Sequence, residues 1–146
     1  MRFNPAKHHR RSIRLKDYDY SSQGYYYITI CLQNRECLLG DIRDGELFIN
    51  EYGKIAQNEW LKTANIRNNV ELDDFVIMPN HIHGILVLTD DCRGTARRAP
   101  TTSTCRIPTY EQFGKSVANS IPTIIRSYKS AVTKHFNQLR ITPDKT

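Results

Sequence analysis

The run Val76-Ile77-Met78-Pro79-Asn80-His81-Ile82-His83-Gly84-Ile85-Leu86-Val87-Leu88 decides how this chain is read. Strand side chains alternate with period two, so His81 and His83 fall on one face of a strand, followed there by Ile85 and Val87. Ile82, Leu86 and Leu88 take the other face. Apolar residues on both faces predict a central strand covered on both sides. Met78-Pro79-Asn80 interrupts the run, because proline has no amide proton and asparagine tolerates turn geometry. The pattern therefore predicts two strands, 71–78 and 81–89, with a pair of imidazoles opening the second beside a turn.

Imidazole is the commonest metal-ligating side chain, and a pair fixed on a strand is preorganised in a way that a pair on a loop is not. His81 and His83 are the candidate metal ligands. The plain alternative is a pair of hydrogen-bonded or solvated structural histidines, since a bare His-x-His pattern is short. Two imidazoles on a covered strand must satisfy several polar nitrogens, and a metal or a polar site does that.

Working outward, residues 25–33 alternate Tyr26, Ile28, Ile30 and Leu32 against Tyr25, Tyr27, Thr29 and Cys31, an aromatic and β-branched strand pattern. Leu38-Leu39 and Leu47-Phe48-Ile49 flank Asp44-Gly45, a hairpin turn pair. Tyr52, Ile55, Ala56 and Trp60 recur at helical spacing over residues 51–64, with Asn50 placed to cap that helix. Ile121, Ile124, Ile125, Tyr128, Val132, Phe136 and Leu139 form one apolar stripe over 121–139, with Arg126, Lys129, Thr133 and Arg140 on another face. The order β-β-β-α-β-β-α predicts an α+β sandwich, its helices packed on one face of a largely antiparallel sheet.

At 146 residues and 39% hydrophobic content the chain has room for one domain with a real core. The longest apolar runs fall far short of the ~18 residues of a membrane span, and the N-terminus lacks a signal peptide's apolar segment. A cytoplasmic chain is expected. The four cysteines show no Cys-x-x-Cys pairing, which argues for reduced structural thiols over a zinc ribbon. A net charge of +6 suggests a polyanionic partner. Its distribution sharpens that: residues 1–20 read as a basic arm carrying Arg10, Arg11 and Arg14, ahead of a domain over 21–146. A second basic cluster, Arg97 and Arg98, lies in a Gly/Thr/Ser/Pro-containing stretch over 89–120 that reads as a flexible connection.

Four motifs in order resemble the REP-associated tyrosine transposases, members of the His-hydrophobe-His superfamily of single-strand DNA endonucleases. They are Arg11-Ser12-Ile13-Arg14-Leu15 with Asp17-Tyr18, Gly24-Tyr25-Tyr26-Tyr27-Ile28-Thr29-Ile30-Cys31, Met78-Pro79-Asn80-His81-Ile82-His83-Gly84, and the run from Ile121-Pro122-Thr123 through Tyr128-Lys129 to Thr133. The resemblance spans nearly the whole chain. It implies a ferredoxin-like sheet on which His81 and His83 hold a divalent ion, Mg or Mn, over a scissile phosphate of single-stranded or hairpin DNA. It further implies attack by a tyrosine on a C-terminal helix, through a 5′-phosphotyrosine intermediate, and it leaves a homodimer open. Arg10, Arg11, Arg14, Arg97, Arg98, Arg126 and Lys129 are the expected DNA contacts.

The chain departs from the family in one respect. The family's nucleophile follows a Trp-containing stretch beyond the helix matching 121–139, and residues to Thr146 do not include it. Tyr128 is the alternative nucleophile, but its place on the apolar stripe favours a core role. Tyr110 has weaker support. The expectation is a protein that binds DNA and nicks it poorly. Two rivals stand beside this reading. One is a metal-dependent phosphoesterase with a water nucleophile, for which Glu71 or Asp74 would be further ligands. The other is a nucleic-acid-binding module in which the histidines are structural.

Overall fold

The computed structural model describes residues 15, 17–89 and 117–140. Strand β1 (Gly24–Cys31) is followed by a 3-10 turn, the hairpin β2 (Gly40–Arg43) and β3 (Glu46–Ile49), and helix α1 (Glu51–Ile66). Then come β4 (Val70–Ile77), β5 (His81–Leu88) and helix α2 (Ile121–Leu139). β1, β5 and β4 form an antiparallel sheet in that order, and β2 pairs β3 in a second, two-stranded sheet. The fold is α+β, and a central β5 between β1 and β4, with both helices on one face, agrees with a ferredoxin-like sandwich.

Local chemistry explains the elements. Asp44 and Gly45 both take positive φ, 52° and 82°, the geometry that a two-residue hairpin of right-handed twist demands. Asn50 caps α1: its Oδ1 accepts from the Gly53 amide at 3.0 Å while its Nδ2 donates to the Leu38 carbonyl at 2.8 Å. The cap thus ties the helix start to the strand-side loop. Asn50→Ala is expected to lower stability by about 1–2 kcal/mol, checked by urea unfolding. At α2, Pro122 occupies the first turn, where a missing amide costs nothing, and the Ile121 amide donates to the Tyr20 carbonyl at 3.0 Å. Tyr18 and Tyr20 pack edge to face beside Tyr26, so the described end of the N-terminal arm is docked where β1 begins. Burial pushes the Tyr26 hydroxyl up to about 12.

The core lies between the sheet and the helices, with Trp60, Leu39, Leu86, Leu88 and Ile124 its most buried large side chains. Its depth shows in β5, where Ile82, Gly84, Leu86 and Leu88 are buried and His81, His83, Ile85 and Val87 are only half-buried. This corrects the expectation of a strand covered on both sides: among the described residues, helices cover the even positions only. Ile85 and Val87 stand instead opposite Tyr27 and Tyr25 of β1, and cross-strand neighbours partly shield them. Two smaller corrections concern ends. Leu38-Leu39 precede β2 rather than forming it, Leu39 being fully buried, and Leu139 at the end of the α2 stripe is exposed.

Tyr128 belongs to this core. It is 5% exposed, its ring meets Trp60 edge to face at 5.3 Å, and its hydroxyl donates to the Ala56 carbonyl at 3.1 Å, joining α2 to α1. Burial, with a smaller push from the Glu59 charge, holds its hydroxyl well above the usual tyrosine range. Above pH ~10 the unfolded chain ionises this group while the folded chain does not, so stability is intact below that pH and falls as it rises. Tyr128→Phe is expected to cost about 1 kcal/mol at neutral pH and to flatten the alkaline decline, read from urea midpoints across pH.

Candidate functional site

His81 and His83 lie on one face of β5, their rings 4.6 Å apart between centroids and nearly perpendicular. Each ring is held through Nδ1. Asn80 Nδ2 donates to the Arg35 carbonyl at 3.4 Å, which leaves Asn80 Oδ1 as an acceptor 2.6 Å from His81 Nδ1. An acceptor there favours the His81 tautomer with its N–H at Nδ1, which turns Nε2 to a ligand. His83 Nδ1 meets Thr29 Oγ1 at 3.0 Å, and its ring stacks on Tyr27 at 5.4 Å and 21°. Outer partners on one ring nitrogen are how ligating histidines are oriented for a metal at the other. With Nδ1 engaged on both rings, Nε2 is the atom each has left to offer a divalent ion.

Gly84 makes the arrangement possible from below. A Cβ there would lie 2.4 Å from Trp60 Cζ2 and 3.2 Å from Phe75 Cβ, so only glycine lets the indole lie against the strand beside His83. The turn before the site is tied on three sides: Met78 N donates to His81 O, Leu39 N to Pro79 O and Leu32 N to Asn80 O, at 2.8–3.0 Å.

Around the imidazoles the same face carries Tyr25, Tyr27, Thr29 and Cys31 of β1 and Val76 of β4. Cys31 stands directly opposite His81; it and Cys37 are free and exposed rather than structural, and Cys92 and Cys105 lie outside the described residues. Among the described residues no cluster of three or more His, Cys, Asp or Glu side chains surrounds an ion position. Glu71 pairs with Val87, four residues beyond His83 and about 13 Å along the strand, and Asp74 falls in the irregularity between Leu72 and Phe75. Neither of the acids weighed as further ligands stands beside the pair.

The other expected site residues separate from it. Tyr128 lies on the helical side of the sheet, buried with its hydroxyl engaged, the core placement that its spacing favoured. Arg126 and Lys129 are exposed on α2, in the helix layer, away from the histidine face. Arg10, Arg11, Arg14, Arg97, Arg98 and Tyr110 lie outside the described residues, as does most of the 89–120 connection. Charge divides in a way the total conceals. The described residues hold nine Lys and Arg against eleven Asp and Glu, leaving twelve against four elsewhere in the chain. The positive excess therefore resides in the segments that carry those arginines.

Asn80, Thr29 and Tyr27 are site residues that sequence reading did not single out. Asn80 had a signal, its place beside His81. Thr29 and Tyr27 are 54 and 56 residues from His83 and reach it only through the β1–β5 register.

No helix among the described residues is long and apolar enough to cross a membrane. No family model and no solved structure matches the chain. A protein of Haemophilus influenzae (strain ATCC 51907 / DSM 11121 / KW20 / Rd), described as an uncharacterized protein, is 37% identical over 132 residues, 90% of this chain and 71% of that one. At that identity and coverage, the chain belongs to the same family as the Haemophilus influenzae protein.

Proposed function

We propose that this chain binds single-stranded or hairpin DNA in the cytoplasm and positions a backbone phosphate at the His81–His83 pair, as the REP-associated tyrosine transposases it resembles are expected to do. One observation carries the reading: two imidazoles side by side on an accessible sheet face, each anchored at Nδ1. His81 and His83 would hold the divalent ion, Mg or Mn, which when bound stabilises charge developing on phosphoryl oxygens. Asn80 and Thr29 orient the rings, and Tyr27 stacks on His83 to limit its rotation.

The phosphate contacts fall to the arginines at 10, 11, 14, 97 and 98, since the described residues carry a small acidic excess. Tyr27 is the one described tyrosine whose ring rests against either imidazole, and Tyr128 takes no part.

A fluorescein-labelled hairpin oligonucleotide titrated by anisotropy from 50 to 400 mM salt tests the proposal. Five phosphate-neutralising arginines on a single strand correspond to a slope of log K against log salt near about −3.5. Manganese should raise the affinity of the wild type. No DNA binding at low salt, or binding without salt dependence, would overturn the reading.

A further inference from the structure

Two large aromatic side chains stand exposed on the histidine face: Tyr25 at 75% and Tyr27 at 68%. Bordering Val87 and Ile85 uses only part of these side chains, which stay mostly exposed, and the same strand's alternate residues Tyr26, Ile28 and Ile30 supply its core contacts. Both stand at consecutive same-face positions of β1, about 6.7 Å apart by strand rise, and the pair leads directly to His83. His83 covers one face of the Tyr27 ring and fixes its plane, and the exposure leaves the ring's other side to solvent. Tyr25 touches neither imidazole.

We infer that Tyr25 and Tyr27 form a stacking platform for unpaired bases of single-stranded DNA, placing successive nucleotides along β1 so that the backbone passes the His81–His83 pair. This rests on the DNA-binding reading above and adds to it the part of the substrate that is recognised, the faces of unpaired bases. Base faces stack on aromatic rings regardless of sequence, whereas paired bases keep theirs buried in the duplex. The described sheet has few cations to offer phosphates, so the face suits bases better than backbone. Affinity then divides into a salt-sensitive share from the arginine-bearing segments and a salt-insensitive share from β1.

The test compares a labelled dT 12-mer, a 12-mer of abasic residues and a 12-base-pair duplex, by anisotropy over a salt series. The wild type should bind dT about tenfold or more tighter than the abasic strand or the duplex. Tyr25→Ala and Tyr27→Ala should each weaken dT binding by about tenfold, Tyr25→Ala leaving abasic binding and the salt slope unchanged, and Tyr25→Phe and Tyr27→Phe should retain dT affinity. Tyr25→Ala should leave manganese affinity as in the wild type, which separates loss of stacking from damage to the imidazoles. Equal binding of dT and abasic strands, or alanine variants that bind dT like the wild type, would overturn the platform while leaving the DNA-binding reading standing. Absence of binding to every strand by a folded wild type would remove both.

Discussion

Gly84→Ala is expected to lower the free energy of unfolding by about 3 kcal/mol, a large share of what a domain of this size has. The added methyl would sit 2.4 Å from Trp60 Cζ2 and 2.9 Å from Cε2, far inside contact distance. Trp60 cannot swing away, because it is 1% exposed, with Tyr128 edge-on at 5.3 Å and Phe75 tilted at 6.5 Å. Relief must come from moving α1 off the sheet. The chain's single tryptophan makes the effect readable by fluorescence during urea unfolding. Trp60→Phe should partly rescue Gly84→Ala in a double-mutant cycle followed by circular dichroism, which needs no tryptophan, since the smaller ring makes room for the methyl. Stability within 0.5 kcal/mol of wild type would show that the close approach is not obligatory.

The second large effect concerns the imidazoles. His81→Ala or His83→Ala should each reduce manganese affinity by at least about a hundredfold, measured by electron paramagnetic resonance of free manganese, and should abolish any manganese-dependent gain in DNA binding. Stability should change by less than about 1 kcal/mol, because both rings are only half-buried, on the face that the described helices leave open. Asn80→Ala and Thr29→Val remove only the anchors at Nδ1, and losses of about ten- to a hundredfold are expected. Unchanged manganese affinity in the double variant His81→Ala with His83→Ala would return the histidines to a structural role.

Much of this architecture is written in local patterns. The 3.6-residue periodicity of 121–139 and the alternation of 25–33 each identify an element without knowledge of its neighbours, and Asp44-Gly45 announces its own turn. What local pattern does not carry is pairing. Nothing near His83 says that Thr29 and Tyr27 will be its partners, because that follows from β1 lying antiparallel to β5 in one register out of many. The error over the second face of β5 has the same origin. Ile85 and Val87 look like core residues in isolation, yet they are shielded sideways by tyrosines of another strand rather than by a helix. Net charge misled more quietly, since a total of +6 says nothing about the acidic balance of the described residues.

The turn at Met78-Pro79-Asn80 sets the phase of β5. Because the strand's odd positions present imidazoles and its even positions build the interior, inserting one residue between Met78 and His81 would exchange the two sets. It would drive His81 and His83 against Trp60 and turn Ile82, Leu86 and Leu88 outward. The site therefore draws its geometry from three backbone hydrogen bonds that fix the turn leading into it, and the length of this turn is the parameter that a chain keeping the site has to hold constant.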